Sequence, residues 1–462
     1  MKRDFVRCLL MLTCLAMGVG VCDVALAESY TVVIPPQYDE VSDFSEGLAA
    51  IRIGEKWGFI DKAGKEVVPP QYDGVWDFRE GLAAVMICDG ETEKWGFIDT
   101  TGKEIVPPQY GWVGGVFVDE GGFYGGLAMV WVGDGEREDF RRGEGKWGFI
   151  DRIGREVVPV EYDRVGAFRE GRAAVMKDGM VGFVDETGAV VIPLTYAYES
   201  DGSSFVAWYQ DIMPYFSEGL AAVCDGDVES GPYGYIDRDG NVVIPFEYSY
   251  AAPFSQGLAY VSEGGVLATY NRYDDDIAGK YGFIDKTGAV AVPLEYDCDY
   301  VHPGIILEEY FRDGFARVSK RAEEPEGMRY GMVDRTGKVV VPIEYGWALP
   351  FSDGRALVGF GWDFHSWGQW GSCGLVDETG KEIVSVGVYD IIEPFSEGFA
   401  RVWSEDHRGE YRFRDFDNGT HGYIDIAGNE VIPCIFEDAR DFSEGLAAVL
   451  LDGKWGFIAI ME

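Results

Sequence analysis

The stretch "EKWGFIDKAGKEVVPPQYDGVWDFREGLAAV" occupies residues 55–85 and decides how the fold is read. It contains a Trp-Gly pair, a turn-like DKAG, a Pro pair and a second glycine before a short apolar run. Nearly the same string, "EKWGFIDTTGKEIVPPQY", begins again at Glu93. The repetition raises the question of whether these residues carry out chemistry or build a scaffold.

Two glycines measure the repeat. The glycine of "WGFID" and the glycine of "EGLAAV" each recur ten times along the chain. The shortest full period is 34 residues, from Gly47 to Gly81 and again from Gly422 to Gly456. A fixed period of this size indicates a tandem-repeat architecture.

Each repeat predicts three β-strands. "LAAV" is short and apolar, "KWGFID" alternates its side chains between two faces, and "KEVVPPQYD" is β-branched until proline ends the pairing. Between the last two strands lies D-x-x-G, as in Asp61 to Gly64, which suits a tight turn. We therefore expect an all-β protein of about ten three-stranded antiparallel meanders.

The two ends of the chain are complementary. The repeats begin at "VVIPPQYD" (residues 32–39), a third strand without its first two, and end at "KWGFI" (residues 454–458), a second strand without its third. Pairing of these ends would close a propeller-like ring and remove exposed edges. We expect an open, curved array instead, because ten units are many for one ring; the closed ring is the alternative.

The repeated residues are explained by structure rather than by catalysis. Asp, Gly and Pro are what turns require, and Trp, Phe, Ile, Val and Leu are what a small unit buries against its neighbours. The Trp position varies, which fits packing better than reactivity. Its replacements are Tyr233, Tyr281, Tyr330, Cys373 and His421. No G-x-S-x-G or H-E-x-x-H motif occurs, and "GEGKWG" (residues 143–148) leads into a strand rather than a helix.

"KWGFID", D-x-x-G, "VVPPQYD" and "FSEGLAAV" together resemble the WG-repeat proteins, also called KWG-repeat proteins, found mainly in bacteria. The resemblance covers residues 32–458, although tryptophan itself is kept only at Trp57, Trp95, Trp147 and Trp455. It implies a β-rich tandem repeat, often behind an export signal. It implies no catalytic residue.

Residues 1–27 have the pattern of an export signal. Lys2, Arg3 and Arg7 precede an apolar stretch that is short for a bilayer span, and "ALA" at residues 25–27 offers a cleavage site. An uncleaved anchor and a lipid-linked Cys22 are the alternatives. We expect a mature repeat array over residues 28–462 without a membrane span, located in the periplasm, outside the cell or on its surface.

Composition narrows the range of partners. The chain has 80 acidic and 39 basic residues and a formal net charge of −41. Such a balance repels nucleic acid and anionic membrane surfaces, whereas it can attract cations. The five cysteines beyond residue 27 have no CxxC spacing and the four histidines show no ligand spacing, so we predict no disulfide framework, metal site or cofactor.

Insertions fall mostly between "LAAV" and the WG strand. The interval of 11 residues seen between Gly47 and Gly58 grows to 22 before Gly148, 25 before Gly282, 20 before Gly374 and 24 before Gly422. Equivalent loops of a repeat array emerge on one side, often the binding side.

One insertion, residues 359–374, is crowded with aromatic residues. Its candidate ligand-contact residues are Trp362, Phe364, His365, Trp367 and Trp370. Aromatic and polar side chains together can stack on a sugar or anchor a protein, but they can also cap the neighbouring unit. We expect an exported, non-catalytic scaffold that binds a protein or glycan partner through its inserted loops. A carbohydrate-active enzyme on the same scaffold is the alternative, supported if carboxylates with a raised pKa meet aromatics in one cleft.

Overall fold

The computed structural model describes residues 29–90, 92–114, 122–133, 145–199, 213–227, 231–264, 279–298, 311–322, 327–360, 372–405 and 419–461. Within these ranges every regular element is a β-strand, and the strands form ten small antiparallel sheets. The prediction of an all-β protein of about ten repeats is confirmed. We number the sheets as blades 1 to 10 in chain order.

Each blade has a first, second, third and fourth strand. The first strands are β2 (Glu40–Val41), β6 (Gly74–Val75), β10 (Trp112–Val113), β15 (Arg164–Val165), β19 (Phe216–Ser217), β24 (Tyr250–Ala251), β28 (Phe311–Arg312), β32 (Trp347–Ala348), β36 (Ile391–Ser396) and β40 (Asp438–Ser443). The second strands are β3 (Leu48–Ile53), β7 (Leu82–Asp89), β12 (Leu127–Val132), β16 (Arg172–Lys177), β20 (Leu220–Cys224), β25 (Leu258–Glu263), β29 (Phe315–Ala322), β33 (Arg355–Phe360), β37 (Phe399–Glu405) and β41 (Leu446–Leu451).

The third strands carry the WG motif. They are β4 (Lys56–Asp61), β8 (Thr92–Asp99), β13 (Lys146–Asp151), β17 (Met180–Asp185), β22 (Tyr233–Asp237), β26 (Lys280–Asp285), β30 (Gly327–Asp334), β34 (Ser372–Asp377), β38 (Gly419–Asp425) and β42 (Lys454–Ile460). The fourth strands are β5 (Glu66–Tyr72), β9 (Glu104–Tyr110), β14 (Glu156–Tyr162), β18 (Val190–Glu199), β23 (Val242–Tyr248), β27 (Val290–Asp297), β31 (Val339–Tyr345), β35 (Glu382–Tyr389), β39 (Glu430–Phe436) and, for blade 10, β1 (Tyr30–Tyr38). Two short extra strands, β11 (Phe123–Tyr124) and β21 (Gly226–Asp227), pair with β12 and β18.

The blades have four strands, so the prediction of three was one short. The missed element is the first strand, which is often only two residues long and pairs with the end of the second strand; in blade 1, Val41 pairs with Ile51. The chain reaches it directly from the previous blade, because β5 ends at Tyr72 and β6 begins at Gly74. Two residues are too few to show any periodicity in the sequence.

The ring is closed by the two ends of the described chain. β1 pairs antiparallel with β42, with Tyr30 opposite Ile460 and Val32 opposite Ile458. Ile34 and Tyr38 of β1 are buried in one cluster with Trp455 of β42. The preference for an open array was therefore wrong, and the alternative, a closed propeller-like ring of ten blades, is what the structure has. Closure buries two edges that an open array would leave exposed.

The glycine of the WG motif is required by a close approach of strands. A β-carbon on Gly58 would lie 2.4 Å from the carbonyl oxygen of Val68 on the fourth strand, where no side chain fits. The register of β4 and β5 shifts at this point, with Trp57 opposite Tyr72 and Phe59 opposite Val68. The motif is thus a structural joint within the blade.

Aromatic pairs hold successive blades together. Phe59 of blade 1 packs edge-on against Phe78 of blade 2, with ring centroids 4.8 Å apart, and Phe183 of blade 4 packs in the same way against Phe216 of blade 5 at 5.0 Å. The phenylalanine of "WGFID" therefore meets the phenylalanine that precedes "SEG" in the next unit. Both are buried, so the core lies between blades as a repeat architecture requires.

Candidate functional site

The two faces of the ring carry different connections. On one face lie the D-x-x-G turns between third and fourth strands and the E-G turns between first and second strands; Lys62 of one such turn bonds the carbonyl oxygen of Glu444 in another at 2.9 Å. On the other face lie the hairpins between second and third strands and the crossovers between blades. Asp73 of a crossover accepts a hydrogen bond from Cys88 N–H beside such a hairpin at 2.9 Å. We call these the clasp face and the loop face.

On the clasp face, the glutamate of several E-G turns reaches into the next blade. Gly81 N–H donates to Glu46 at 2.7 Å, and Gly126 N–H donates to Glu80 at 2.8 Å. The same bond crosses the closure, where Gly47 N–H donates to Glu444 at 3.0 Å. The repeated glutamate therefore joins blades.

The other residues of "FSEG" and the basic residue of the D-x-x-G turn add to this joint. The hydroxyl of Ser45 donates to the carbonyl oxygen of Phe78 in the next blade at 2.7 Å, and Ser443 donates to Phe44 across the closure at 2.7 Å. Arg238 of blade 5 lies 3.0 Å from Glu170 of blade 4. Sequence reasoning missed this role, although Ser-Glu before the glycine and Lys or Arg after the turn aspartate were visible signals.

On the loop face, the aspartate after the fourth strand makes a second joint. Asp73 accepts from Lys56 of blade 1 at 2.5 Å and from Cys88 N–H of blade 2. The bonds from Cys88 and Lys56 hold the pKa of Asp73 below its ordinary value. Asp39 has the same arrangement at the closure, where it accepts hydrogen bonds from Lys454 and from Gly54 N–H. The bond from Lys454, followed by that from Gly54, holds the pKa of Asp39 below its ordinary value.

Six long insertions start from the loop face. Four lie between second and third strands, at residues 134–144, 265–278, 361–371 and 406–418, and two follow fourth strands, at residues 200–212 and 299–310. The predicted contact residues Trp362, Phe364, His365, Trp367 and Trp370 fall outside the described residues. The flanking strands are described, and Phe360 of β33 pairs with Ser372 of β34.

A second candidate site emerges when the ten repeats are compared with one another. The two residues before the buried phenylalanine of each first strand are uncharged in blades 4, 6 and 8: Gly166-Ala167, Ala252-Pro253 and Leu349-Pro350. Blade 7 carries Glu309 at this position, and the four blades around the closure also carry charges there. These are Glu393 in blade 9, Arg440 and Asp441 in blade 10, Asp43 in blade 1 and Asp77 in blade 2.

Arg401 on the second strand of blade 9 connects several of these charges. Its guanidinium lies 3.6 Å from a carboxylate oxygen of Glu393 and 3.4 Å from one of Asp441, and it donates to the carbonyl oxygen of Ala439 at 2.8 Å. The hydroxyl of Tyr423 donates to the carbonyl oxygen of Arg440 at 2.7 Å. We call Asp43, Asp77, Glu393, Arg401, Arg440 and Asp441 the inner-wall cluster.

The charges of the inner-wall cluster act on one another across the closure. Arg401 of blade 9 opposes the rise in the pKa of Asp43 of blade 1, and Arg440 of blade 10 opposes the rise in the pKa of Asp77 of blade 2. The side chains of Glu393 and Asp441 are 37% and 42% exposed, which keeps the cluster open to solvent.

Three carboxyl groups of this cluster, Asp43, Asp77 and Glu393, have a raised pKa. Burial raises the pKa of Asp43 to about 6; Asp441 and Asp77 add to the rise, and Arg440 and Arg401 oppose it. Burial also raises the pKa of Asp77 and of Glu393. The surrounding protein disfavours the charged form even where a solvent molecule can touch the side chain, as expected for a confined inner surface.

Four polar atoms of the cluster are buried without a hydrogen bond among the described residues: Oδ1 of Asp43, Oδ1 of Asp441, Nε of Arg401 and Nε of Arg440. Two of them form an ion pair with each other, because Nε of Arg401 lies 3.4 Å from Oδ1 of Asp441.

His421 occupies the Trp position of blade 9, close to the cluster. Its Nε2 lies 3.5 Å from Asp438 Oδ1. Burial lowers the pKa of His421 to about 4, with Arg401 adding and Asp438 opposing, so the imidazole is neutral near pH 7. Cys373, in the same position of blade 8, has its thiol pKa raised to about 12 by burial. Both are packing residues, as the sequence predicted for this position.

Comparison with known proteins identifies the family. The model for the WG containing repeat matches residues 31–57, 57–90, 95–133, 147–180, 233–266, 281–297, 330–361, 374–402 and 422–455. The chain is a WG-repeat protein. No curated protein matches its sequence. The family resemblance predicted from the residues is thereby confirmed, and this WG-repeat protein is a repeat scaffold.

Three solved structures are distantly similar to the WG-repeat protein. Dipeptidyl peptidase 4 of Porphyromonas gingivalis is 9% identical with a TM-score of 0.40, over 90% of this chain and 61% of that one. A prolyl endopeptidase is 12% identical with a TM-score of 0.34, over 72% and 54%. AztD from Citrobacter koseri is 13% identical with a TM-score of 0.28, over 75% and 86%. This chain spans about three-fifths of the length of the dipeptidyl peptidase and about half of the length of the prolyl endopeptidase.

The described residues contain neither a metal-binding cluster nor a membrane-spanning helix. No group of three or more His, Cys, Asp or Glu residues in that part of the chain is arranged to hold a metal ion. The same part contains no helix that is long and apolar enough to cross a membrane.

Proposed function

We propose that this WG-repeat protein is an exported, non-catalytic scaffold that binds a protein or glycan partner through loops on its loop face. The observation that carries the proposal is the placement of the six long insertions, which all start from that face. The clasp face is occupied by bonds between blades. Loops held at equivalent positions on a rigid scaffold are suited to binding.

The extra length of these loops is not needed to connect the strands. In blade 10, Leu451 pairs with Lys454 and only Asp452 and Gly453 turn the hairpin. Phe360 and Ser372 of blade 8 form the equivalent pair, yet residues 361–371 separate them. This excess supports a role other than chain connection, and its aromatic residues suit interface anchors.

Replacement of a loop by the short turn tests the proposal. Exchange of residues 361–371 for Asp-Gly should leave the Tm within about 2 °C, because loops away from the core contribute little to stability. Capture of a partner from an envelope extract, quantified per folded molecule, should fall at least tenfold. The control is the same exchange of residues 133–145 in blade 3, where Val132 and Lys146 form the equivalent pair.

The comparison of the two variants separates the outcomes. Loss of capture in the blade 8 variant with capture retained in the control supports binding by the aromatic loop. A blade 8 variant that melts several degrees lower while capture is unchanged would show that Trp362, Trp367 and Trp370 cap the core. In that case the loop-face proposal would lose its best site.

Export is part of the same proposal and rests on residues 1–27. Cleavage after Ala27 would leave Glu28 and Ser29 before β1, enough to clear the closing strand. The intact mass of the protein from its native envelope should correspond to a chain that begins at Glu28. A mass that retains residues 1–27 would favour the anchored alternative, and added lipid at Cys22 the lipoprotein.

A carbohydrate-active enzyme is the second candidate, favoured by the raised pKa of Asp43 beside Asp77 and Asp441. A carboxyl group with a pKa near 6 can act as a general acid near neutral pH. Release of reducing ends from oligosaccharides, abolished by Asp43→Asn, would support it. Absence of product with a bound oligosaccharide would favour the non-catalytic scaffold.

A further inference from the structure

Three neighbouring hairpins of the loop face carry an apolar residue at the same position. It is the residue of the second strand that pairs with the lysine before the WG tryptophan: Leu451 in blade 10, Ile53 in blade 1 and Ile87 in blade 2. Ile53 is 52% exposed and Ile87 is 43% exposed, whereas Leu451 is partly buried. We call these three residues the apolar row.

The fold does not require an apolar residue at this position. The equivalent residues of blades 4 to 7 are all charged: Lys177, Asp225, Glu263 and Lys320. In blades 3 and 8 the position is Val132 and Phe360, where long insertions begin, and in blade 9 it is Ser404. Exposed apolar residues that are adjacent, rather than scattered singly, are typical of interaction surfaces.

Hydrogen bonds join the first two members of the row across the closure of the ring. Lys454, which pairs with Leu451, donates to Asp39. Asp39 also accepts at 2.6 Å from the N–H of Gly54, the residue after Ile53. The hairpins of blades 10 and 1 are therefore held side by side.

The same arrangement joins blade 1 to blade 2. Lys56, which pairs with Ile53, donates to Asp73 at 2.5 Å, and Asp73 accepts at 2.9 Å from the N–H of Cys88, the residue after Ile87. Directly opposed residues of an antiparallel pair have their side chains on the same face of the sheet. Ile53 and Lys56 therefore share a face, and the apolar row continues over two junctions between blades.

The surroundings of the apolar row are acidic. The same three hairpins expose four carboxylates: Glu55, Asp89, Glu93 and Asp452. Two of their three lysines, Lys56 and Lys454, are already paired with aspartates, which leaves Lys94 against those four acids. An apolar surface with a negative surround is complementary to a segment that carries apolar residues together with positive charges.

We propose that the apolar row is a docking site for a basic polypeptide segment, whose apolar side chains contact Ile53, Ile87 and Leu451 and whose lysine or arginine residues lie near Glu55 and Asp452. Side chains of an extended segment alternate between two faces, so apolar and charged residues can be presented separately. The hairpins that form the site are short and are held by the bonds from Asp39 and Asp73, so little conformational freedom is lost on binding.

Calorimetric titration of the mature chain with an octapeptide of alternating lysine and leucine tests the site, and binding should be saturable. Ile53→Lys combined with Ile87→Lys should weaken it at least tenfold, or about 1.4 kcal/mol. Both changes should fold, because blades 4 and 7 have lysine at this position. The matched control is Val190→Lys with Val242→Lys, which adds the same charge at residues 49% and 53% exposed on the fourth strands of blades 4 and 5.

A second pair of variants tests the charges. Glu55→Gln with Asp452→Asn should weaken binding of the lysine-leucine peptide, whereas Glu186→Gln with Asp239→Asn, at exposed positions of the clasp face, should not. Asparagine suits residue 452 because its φ is 50° and asparagine tolerates the left-handed region. Octapeptides of alternating lysine and serine, or of alternating glutamate and leucine, should bind at least tenfold more weakly than the lysine-leucine peptide.

Every other result overturns the proposal. Absence of saturable binding, or equal losses in the lysine variants and their control, would remove the site. Equal binding of the lysine-serine peptide would show only general attraction to an acidic protein, and equal binding of the glutamate-leucine peptide would exclude a basic partner. Self-association of the wild type that is lost in Ile53→Lys with Ile87→Lys would assign the row to a second copy of the chain.

The apolar row contains no residue of a long insertion, so it is independent of binding through the loops. The variant with Asp-Gly in place of residues 361–371 should keep its full affinity for the lysine-leucine peptide. Loss of affinity in that variant would assign the peptide to the aromatic loop and overturn the site at the apolar row. Failure of the two proposals can therefore be told apart.

Discussion

The glutamate of the E-G turn has a backbone conformation that is explained by its hydrogen bond to the next blade. Glu46 has a φ of 53° and the following Gly47 a φ of 80°, so the turn passes through the left-handed region. This conformation aims the carboxylate at an N–H group of the next blade. An acidic residue precedes this glycine in eight of the ten repeats and resembles a catalytic motif, yet the contacts of Glu46 are those of a joint between blades.

The strength of one such joint can be measured at Glu170. Its carboxylate accepts from the N–H groups of Glu218 and Gly219 at 2.7 and 3.0 Å and pairs with Arg238. Glu170→Ala should lower the free energy of unfolding by about 1–2 kcal/mol in urea titrations, because hydrogen bonds to a charged group are lost.

The control for this change is Glu161→Ala. Glu161 meets only the exposed Lys177, at 3.3 Å, and a surface pair of this kind is worth roughly 0–1 kcal/mol. A loss for Glu170→Ala no larger than for Glu161→Ala would contradict the joint between blades.

The effect of Asp43 on the stability of the protein should depend on pH. Its pKa is raised from the ordinary 3.8 to about 6, so the folded state disfavours the carboxylate and Asp43 costs most stability above pH 6. Asp43→Asn should therefore stabilise the protein by about 1–2 kcal/mol at pH 7.5, after allowance for solvent screening, and the gain should vanish towards pH 4.

The difference in the free energy of unfolding between wild type and Asp43→Asn separates the effect of Asp43 from that of the other titrating groups. The charged groups that act on it are Arg440, Asp441, Asp77 and Arg401. His421 has the opposite effect on the pH dependence of stability, because its lowered pKa makes the fold less stable below about pH 6.5. This effect is the same in wild type and in Asp43→Asn, so it cancels in the difference. A gain from Asp43→Asn that grows on acidification would contradict the expected sign.

Among the strands, the closing strand β1 provides the most direct test of the closed ring. It supplies the fourth strand of blade 10 and buries Ile34 and Tyr38 against β42. A chain that begins at Glu40 should melt many degrees lower and associate through the exposed edge of β42. A peptide of residues 28–39 added in trans should restore the Tm by strand addition.

The measurement is a melting curve together with size-exclusion chromatography, with and without the peptide. The control peptide carries Ile34→Asp, which keeps the backbone groups but places a charge in the buried cluster. An unchanged Tm in the truncated chain would mean that the pairing of β1 with β42 does not hold the ring closed.

Strands could be predicted from the sequence wherever they were long enough to show a period. The WG strand, the β-branched strand and the turn between them are confirmed; Gly64 N–H donates to the carbonyl oxygen of Asp61 at 2.8 Å, as the D-x-x-G pattern predicted. The first strands escaped because they pair over only a few residues. Whether a first strand forms depends on where the fourth strand of the previous blade ends, and the local sequence does not show this.

For the whole molecule, ring or array could not be decided from the sequence. That choice depends on the small rotation between blades, which is set by pairs such as Phe59 with Phe78 rather than by any motif. The inner-wall cluster had a signal, namely the charges that replace small residues before the first-strand phenylalanine in blades 9, 10, 1 and 2. Which of them meet became clear only once the ring was known to close.

The joints between blades are equivalent, so the position of the chain ends around the ring should be free. A circular permutant that joins residues 461 and 29 through a D-x-x-G turn and opens between Arg238 and Asp239 should fold with a Tm within about 5 °C of the parent, since exposed turns tolerate new termini. Opening within β22 instead, between Tyr235 and Ile236, is the control and should prevent folding. Failure of the turn permutant would show that the natural closure is special.

The pairing of β1 with β42 also has a consequence for how the protein is made. The ribosome makes residues 30–38 long before residues 454–460, so β1 cannot pair until β42 has been made. At roughly 5–20 residues per second that wait lasts about 20–80 seconds. A chain released before β42 is translated keeps β1 without its partner strand, and an unpaired strand edge is a site of association with other chains.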